Sequence, residues 1–220
     1  MSIKNQPFKL SPAREELALE RIMFFSDAVM AIAITLLAID LKLPELPTPL
    51  ALAELSTSLS ALTPRFISFV ISFVVIGIFW ASHHRYFTYI IRYDSRLIAL
   101  NLLFLLFIAL MPFVASLFGQ FYLIKFSVIV YALEVTAIGL SIGGIWWYAS
   151  SNHRLIDPEL EPEFIRVRNI IALIVPLIFL VSIPFALINP LLPIIVWWTT
   201  PILLVLPLQK AQQKESKRKV

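Results

Sequence analysis

The stretch Arg21–Pro44, RIMFFSDAVMAIAITLLAIDLKLP, decides how the chain is read. From Ala28 to Ile39 it is apolar except for Thr35, while Arg21, Ser26 and Asp27 stand at its entry. A helix rises 1.5 Å per residue, and about 20 mostly apolar residues cross a bilayer core. This stretch is long enough, so it carries a carboxylate to the edge of a hydrocarbon layer. Ionisable side chains in such places face protein and pair there. Asp27 therefore predicts neighbouring helices with polar groups at its own depth.

The rest of the chain agrees. Of 220 residues, 59% are hydrophobic and 15% charged, against about 25% charged in soluble domains. The expected class is an all-α integral membrane protein. Besides 22–41, five further apolar runs are long enough to span: 64–83, 97–118, 122–148, 169–189 and 191–208. Asn189-Pro190 splits the last two into a tight hairpin, because proline breaks the helical ladder. The predicted organisation is 1–20, a cytoplasmic segment and helix start; 21–208, a six-helix transmembrane domain; and 209–220, a basic cytoplasmic tail. Ser11-Pro12 reads as an N-cap with proline at the first helical position. The N-terminus lacks the apolar core of a signal peptide. The chain has no cysteine, which removes disulfides, thiolate metal sites and thiol nucleophiles.

Basic residues set the orientation. With the N-terminus inside, 15 of the 18 Lys and Arg are cytoplasmic, and only Lys42, Arg65 and Lys125 are outside. Both termini are then cytoplasmic, in an inner or plasma membrane. The net charge of +4 is explained by topology, and no nucleic-acid partner is expected. The tail's lysines suit an anchor on anionic lipid. The outer loop contains LALAELSTSLSAL, a short amphipathic helix, and the inner loop SSNHRLIDPELEPE reads as a solvated connector.

This topology brings Arg21, Ser26 and Asp27 of the first span to the depth of Trp80, His83 and His84 in the second and Asn101 in the third. Arg21 and Asp27 are six residues apart, not the three or four that share a helix face, so each needs a partner from another helix. Two readings follow: an interhelical hydrogen-bond lock, or a proton relay, since His beside Asp titrates near neutral pH. A metal site is disfavoured, because adjacent helical histidines do not share a face. Ser26 beside Asp27 is not a nucleophile with its base, so no enzyme and no cofactor is expected.

Ala28, Ile32, Thr35 and Ile39, spaced four, three and four, share a face. That face serves either helix packing, with Thr35 bonded to its own backbone, or a pore whose apolar rings control wetting. Glu134 lies mid-span in the fourth helix, where a charge must be neutralised or paired. Gly139 and Gly143 form a close-packing GxxxG face, and Trp146, Trp147 and Tyr148 an interfacial belt. Pro176, Pro184, Pro193 and Pro201 predict kinked outer helices. Neither a TVGYG filter nor a regular arginine series is present.

The motif R-x-x-x-F-S-D, here Arg21, Phe25, Ser26 and Asp27, followed by AVMAIAITLL, resembles the signature of the transmembrane protein 175 family of lysosomal potassium channels and bacterial homologues. WASHH and NLLFLLFIALMPF extend the resemblance over most of the first three spans. It implies a homotetramer in the lipid bilayer with the first helix lining a central pore. The signature residues would be tied to Trp80, His83, His84 and Asn101, and Ile32, Thr35 and Ile39 would form the constriction. The permeant ion would be K+, together with other monovalent cations. Other members carry leucine at the apolar rings, where this chain has isoleucine. Two functions remain in view: this channel, and a proton-coupled transporter using Asp27, His83, His84 and Glu134.

Overall fold

The computed structural model describes residues 12–39, 41–42, 52–198 and 200. Among the described residues seven α-helices follow one another: α1 (Pro12–Ile39), α2 (Leu52–Ala61), α3 (Thr63–Tyr89), α4 (Ser95–Gln120), α5 (Lys125–Ser150), α6 (Pro162–Ile188) and α7 (Leu191–Trp198). Five are long and apolar enough to cross a membrane, so the chain is a multi-pass membrane protein. The hairpin falls where Asn189-Pro190 places it, with the Leu191 N–H donating to Asn189 Oδ1 at 2.9 Å. The end of the predicted sixth run, like Ser11, Asp40 and the basic tail, lies outside the described residues.

α5 is the core of the bundle. Tyr131, Ile138, Ile145 and Trp146 are completely buried, and α5 packs against α3, α4 and α6. The glycine motif is used as expected. A Cβ on Gly139 would sit 2.8 Å from the Pro176 ring, and one on Gly143 would meet Ala172 at 3.6 Å. Pro176, inside α6, therefore packs directly on the bare backbone of Gly139. Lys125, an exception to the charge bias, reaches the Leu187 carbonyl at 2.7 Å. A cation there complements the negative C-terminal end of α6.

The connector between α5 and α6 is not the solvated loop its composition suggests. Leu155 and Ile156 are buried. Ile156 bridges antiparallel to Ile90, and the Leu155 carbonyl accepts from the Ile91 and Arg92 N–H groups at 2.9 and 3.2 Å. Two aliphatic residues inside a polar run thus zip the α5–α6 link to the α3–α4 link. Beside this zipper Asp94 caps α4, accepting from the Leu97 N–H at 2.8 Å and the Tyr148 hydroxyl at 2.6 Å. Burial pushes its carboxyl up, but these bonds, the Arg96 N–H and the Arg154 charge outweigh it. Asp94 stays below the usual carboxylate value.

α1 packs on α3 and α4 at the edge of the bundle. Only 22% of its spanning window is buried, against 50% for α5. Leu19, Ser26, Met30, Ala33 and Leu37 are buried, one stripe along the helix. The opposite side is exposed among the described residues.

Candidate pore face and interhelical lock

Three helices meet through one directional chain of hydrogen bonds. Ser26 Oγ donates to the Ile22 carbonyl of its own helix at 2.8 Å. Its only proton is thereby used, so Ser26 accepts from Asn101 Nδ2 at 2.9 Å. That fixes the Asn101 amide with Oδ1 toward His83 Nε2, also at 2.9 Å. An amide oxygen only accepts, so His83 carries its proton on Nε2. The ring is stacked between Phe87 at 4.3 Å and Phe104 at 5.5 Å. Ser26, His83 and Asn101 are each no more than 2% exposed. Every polar atom on this path is satisfied inside the bundle.

Asp27 has a separate partner, the Trp80 indole N–H at 3.0 Å. An indole donates but has no proton to pass on at ordinary pH, so the bond positions Asp27 without relaying charge. His84 is exposed and stacks on Trp80 at 6.0 Å. Arg21 and Phe25 also face outward from the subunit. The structure thus joins Ser26, Asp27, Trp80, His83 and Asn101, and leaves Arg21, Phe25 and His84 on its surface at the same level. Glu134 belongs to α5, and its Oε1 is buried without a hydrogen-bond partner among the described residues. The sequence did not single out the Ile22 carbonyl, which ends the chain of bonds, or the Phe87–Phe104 sandwich. A backbone acceptor leaves no sequence signal, and phenylalanines in a span look like any other apolar filler.

Ser26 also marks the side of α1 that is turned into the bundle. Ser26, Met30, Ala33 and Leu37 lie on the side held by α3 and α4. Ala28, Ile32, Thr35 and Ile39 follow each of them by two residues, about 200° around the helix. Ile32 is 59% exposed and Ile39 58%, and Thr35 between them is exposed too. Thr35 Oγ1 donates to the Ile32 carbonyl at 2.8 Å, so its lone pairs remain available away from the helix. An apolar face with one hydroxyl oxygen, that of Thr35, therefore points outward, opposite the buried polar anchor.

A bundle of long apolar helices tied together by buried polar groups has the construction of an integral membrane protein, and the family model it matches is that of an ion channel. Comparison with known proteins agrees. The model of the endosomal/lysosomal potassium channel TMEM175 matches residues 21–112. A potassium channel of Streptomyces collinus is 35% identical over 68% of this chain and 73% of its own length. The Gallus gallus endosomal/lysosomal proton channel TMEM175 is 35% identical over 54% of this chain and 24% of its own. A crystal structure of a lysosomal potassium-selective channel TMEM175 homolog from Chamaesiphon minutus superposes with a TM-score of 0.74 at 26% identity. It covers 88% of this chain and 98% of that one. The chain belongs to the TMEM175 family.

Proposed function

We propose that the protein is a potassium-permeable cation channel, a homotetramer of six-span subunits with α1 around a central axis. The observation that carries this reading is the outward face of Ile32, Thr35 and Ile39, held opposite the Ser26–Asn101–His83 lock. Four copies of that face would stack two isoleucine rings around a ring of threonine oxygens. An apolar constriction admits an ion only as it sheds water, and potassium releases water more easily than sodium. The threonine oxygens, their protons held on the Ile32 carbonyls, would replace part of the lost shell. The bacterial relatives bear the name potassium channel and the animal ones proton channel, so the permeant ion is the property to test.

Basic residues crowd one end of the bundle, where Arg85, Arg92, Arg96, Arg154, Arg166 and Arg168 lie at or near helix ends. With that end cytoplasmic, both termini are inside the cell, and the basic charge of the tail sequence suits anionic lipid. In this reading Ser26, Asp27, Trp80, His83 and Asn101 are the frame and Ile32, Thr35 and Ile39 the constriction, with Arg21, Phe25 and His84 on the subunit surface at the level of the frame. The test is potassium flux from liposomes with a protonophore present and no imposed proton gradient. Dye uptake driven by the potassium gradient alone supports a channel. Flux that saturates and requires a proton gradient would instead indicate the coupled transporter.

A further inference from the structure

At the basic end of the bundle, α3, α5 and α6 enclose a second polar cluster that the pore does not use. Trp146 of α5 is completely buried, with its ring against Tyr86 at 5.0 Å and Tyr89 at 6.3 Å. Arg168 of α6 is 4% exposed, and its guanidinium lies over Phe164 at 5.0 Å and Tyr89 at 5.8 Å. Tyr89 touches both. The Trp146 Nε1–H and the Arg168 Nε–H are each buried with no hydrogen-bond partner among the described residues. Arg85 stands half-buried on α3. The like charge of Arg168 acts on it, beside Tyr86 and Tyr89.

Buried N–H groups almost always have an acceptor. Here two donors on different helices lack one, beside a buried cation whose neighbour Arg85 carries the same charge. An acceptor with negative charge answers both deficits together. Guanidinium donors match phosphate oxygens in geometry as well as charge. The depth fits as well. Arg85 and Trp146 lie one turn from the ends of α3 and α5, and Arg168 is in the second turn of α6. Trp147 beside them is 65% exposed, as expected at a membrane interface. Basic pockets between spanning helices at this depth take lipid headgroups.

We propose that Arg85, Trp146 and Arg168 form a binding site for one phosphate group per subunit, carried by an anionic lipid or free in solution. Arg85 forms its accessible edge and Arg168 its floor. The site is independent of the pore reading, since it lies on helices other than α1.

The test is native mass spectrometry of the detergent-solubilised full chain with added phosphatidylglycerol, phosphatidylcholine or inorganic phosphate. The expected result is one phosphatidylglycerol retained per subunit. Arg85→Gln and Arg168→Met should each lower retention about tenfold, the loss of one charge-assisted contact. The triple change Lys217→Gln, Arg218→Gln, Lys219→Gln should not. Phosphate adducts with no preference for the lipid would assign the site to free phosphate. Arg85 is half-exposed, so its variant keeps the test open if Arg168→Met does not fold. Equal retention of both lipids by the wild type with no phosphate adduct overturns the proposal. So does retention unchanged in Arg85→Gln, or lost only with the tail lysines.

Discussion

Asn101→Leu removes the side chain that joins α1 to α3 by way of α4. Leucine is close to asparagine in size, so the change is chiefly polar. His83 Nε2–H loses its acceptor in a buried site, which costs about 1–3 kcal/mol. Ser26 keeps its bond to the Ile22 carbonyl and loses only an accepted bond, worth about 0.5–1.5 kcal/mol net. The expected destabilisation is about 2–4 kcal/mol, read from unfolding in mixed micelles of rising SDS content. Ser26→Ala leaves one Asn101 amide N–H without its acceptor, and about 1–2 kcal/mol is expected. The two changes break the same bond, so the double variant should fall short of their sum by about 1 kcal/mol or more. Strict additivity, or a loss below about 0.5 kcal/mol for Asn101→Leu, would refute the lock. The same variant should also weaken ion preference in flux assays, because α1 would no longer be held in one rotation.

Other outcomes follow from single contacts. Ile32→Asn places an amide in the proposed constriction, so bilayer recordings should show higher conductance and weaker preference for potassium over sodium; unchanged values would count against Ile32. Gly139→Ala drives a methyl to 2.8 Å from the Pro176 ring and should destabilise by about 1–3 kcal/mol, whereas Gly143→Ala, with ordinary contact at 3.6 Å, should be nearly neutral in the same unfolding assay. Asp94 is held below its ordinary value, so its charged form stabilises the fold above the unfolded-state value of about 3.9 and that stability is lost as pH falls through the lower folded value. Asp94→Asn should therefore be less stable than wild type at pH 7 and equal to it in acid; a difference independent of pH would exclude the charge as the cause.

The first three spans were legible because their polar residues are few and their depth follows from topology alone. Ser26, Asp27, Trp80, His83 and Asn101 could be placed in one layer, although their pairing could not. Whether His83 meets Asp27 or Asn101 depends on helix rotation, and the Phe87–Phe104 sandwich sets it by turning His83 toward Asn101. The spacing of Ile32, Thr35 and Ile39 gave a face but not its direction, which follows only from the buried stripe opposite. The α5–α6 connector was misread because Leu155 and Ile156 are outnumbered by polar neighbours, and an isolated bridge has no periodicity to detect. Arg168 drew attention only as a topology marker, since burial inside an aromatic cluster is a property of three packed helices.

The central claim is that the face bearing Ile32, Thr35 and Ile39 lines the ion path. The chain has no cysteine, so single cysteines can be placed along α1 without background. The direct measurement is block of potassium current by a small cationic thiol reagent applied to each variant in turn. The account predicts block at Ile32→Cys, Thr35→Cys and Ile39→Cys, and none at Met30→Cys, Ala33→Cys or Leu37→Cys, which lie on the held side. Block at Met30, Ala33 and Leu37, or at none of the six, would contradict it.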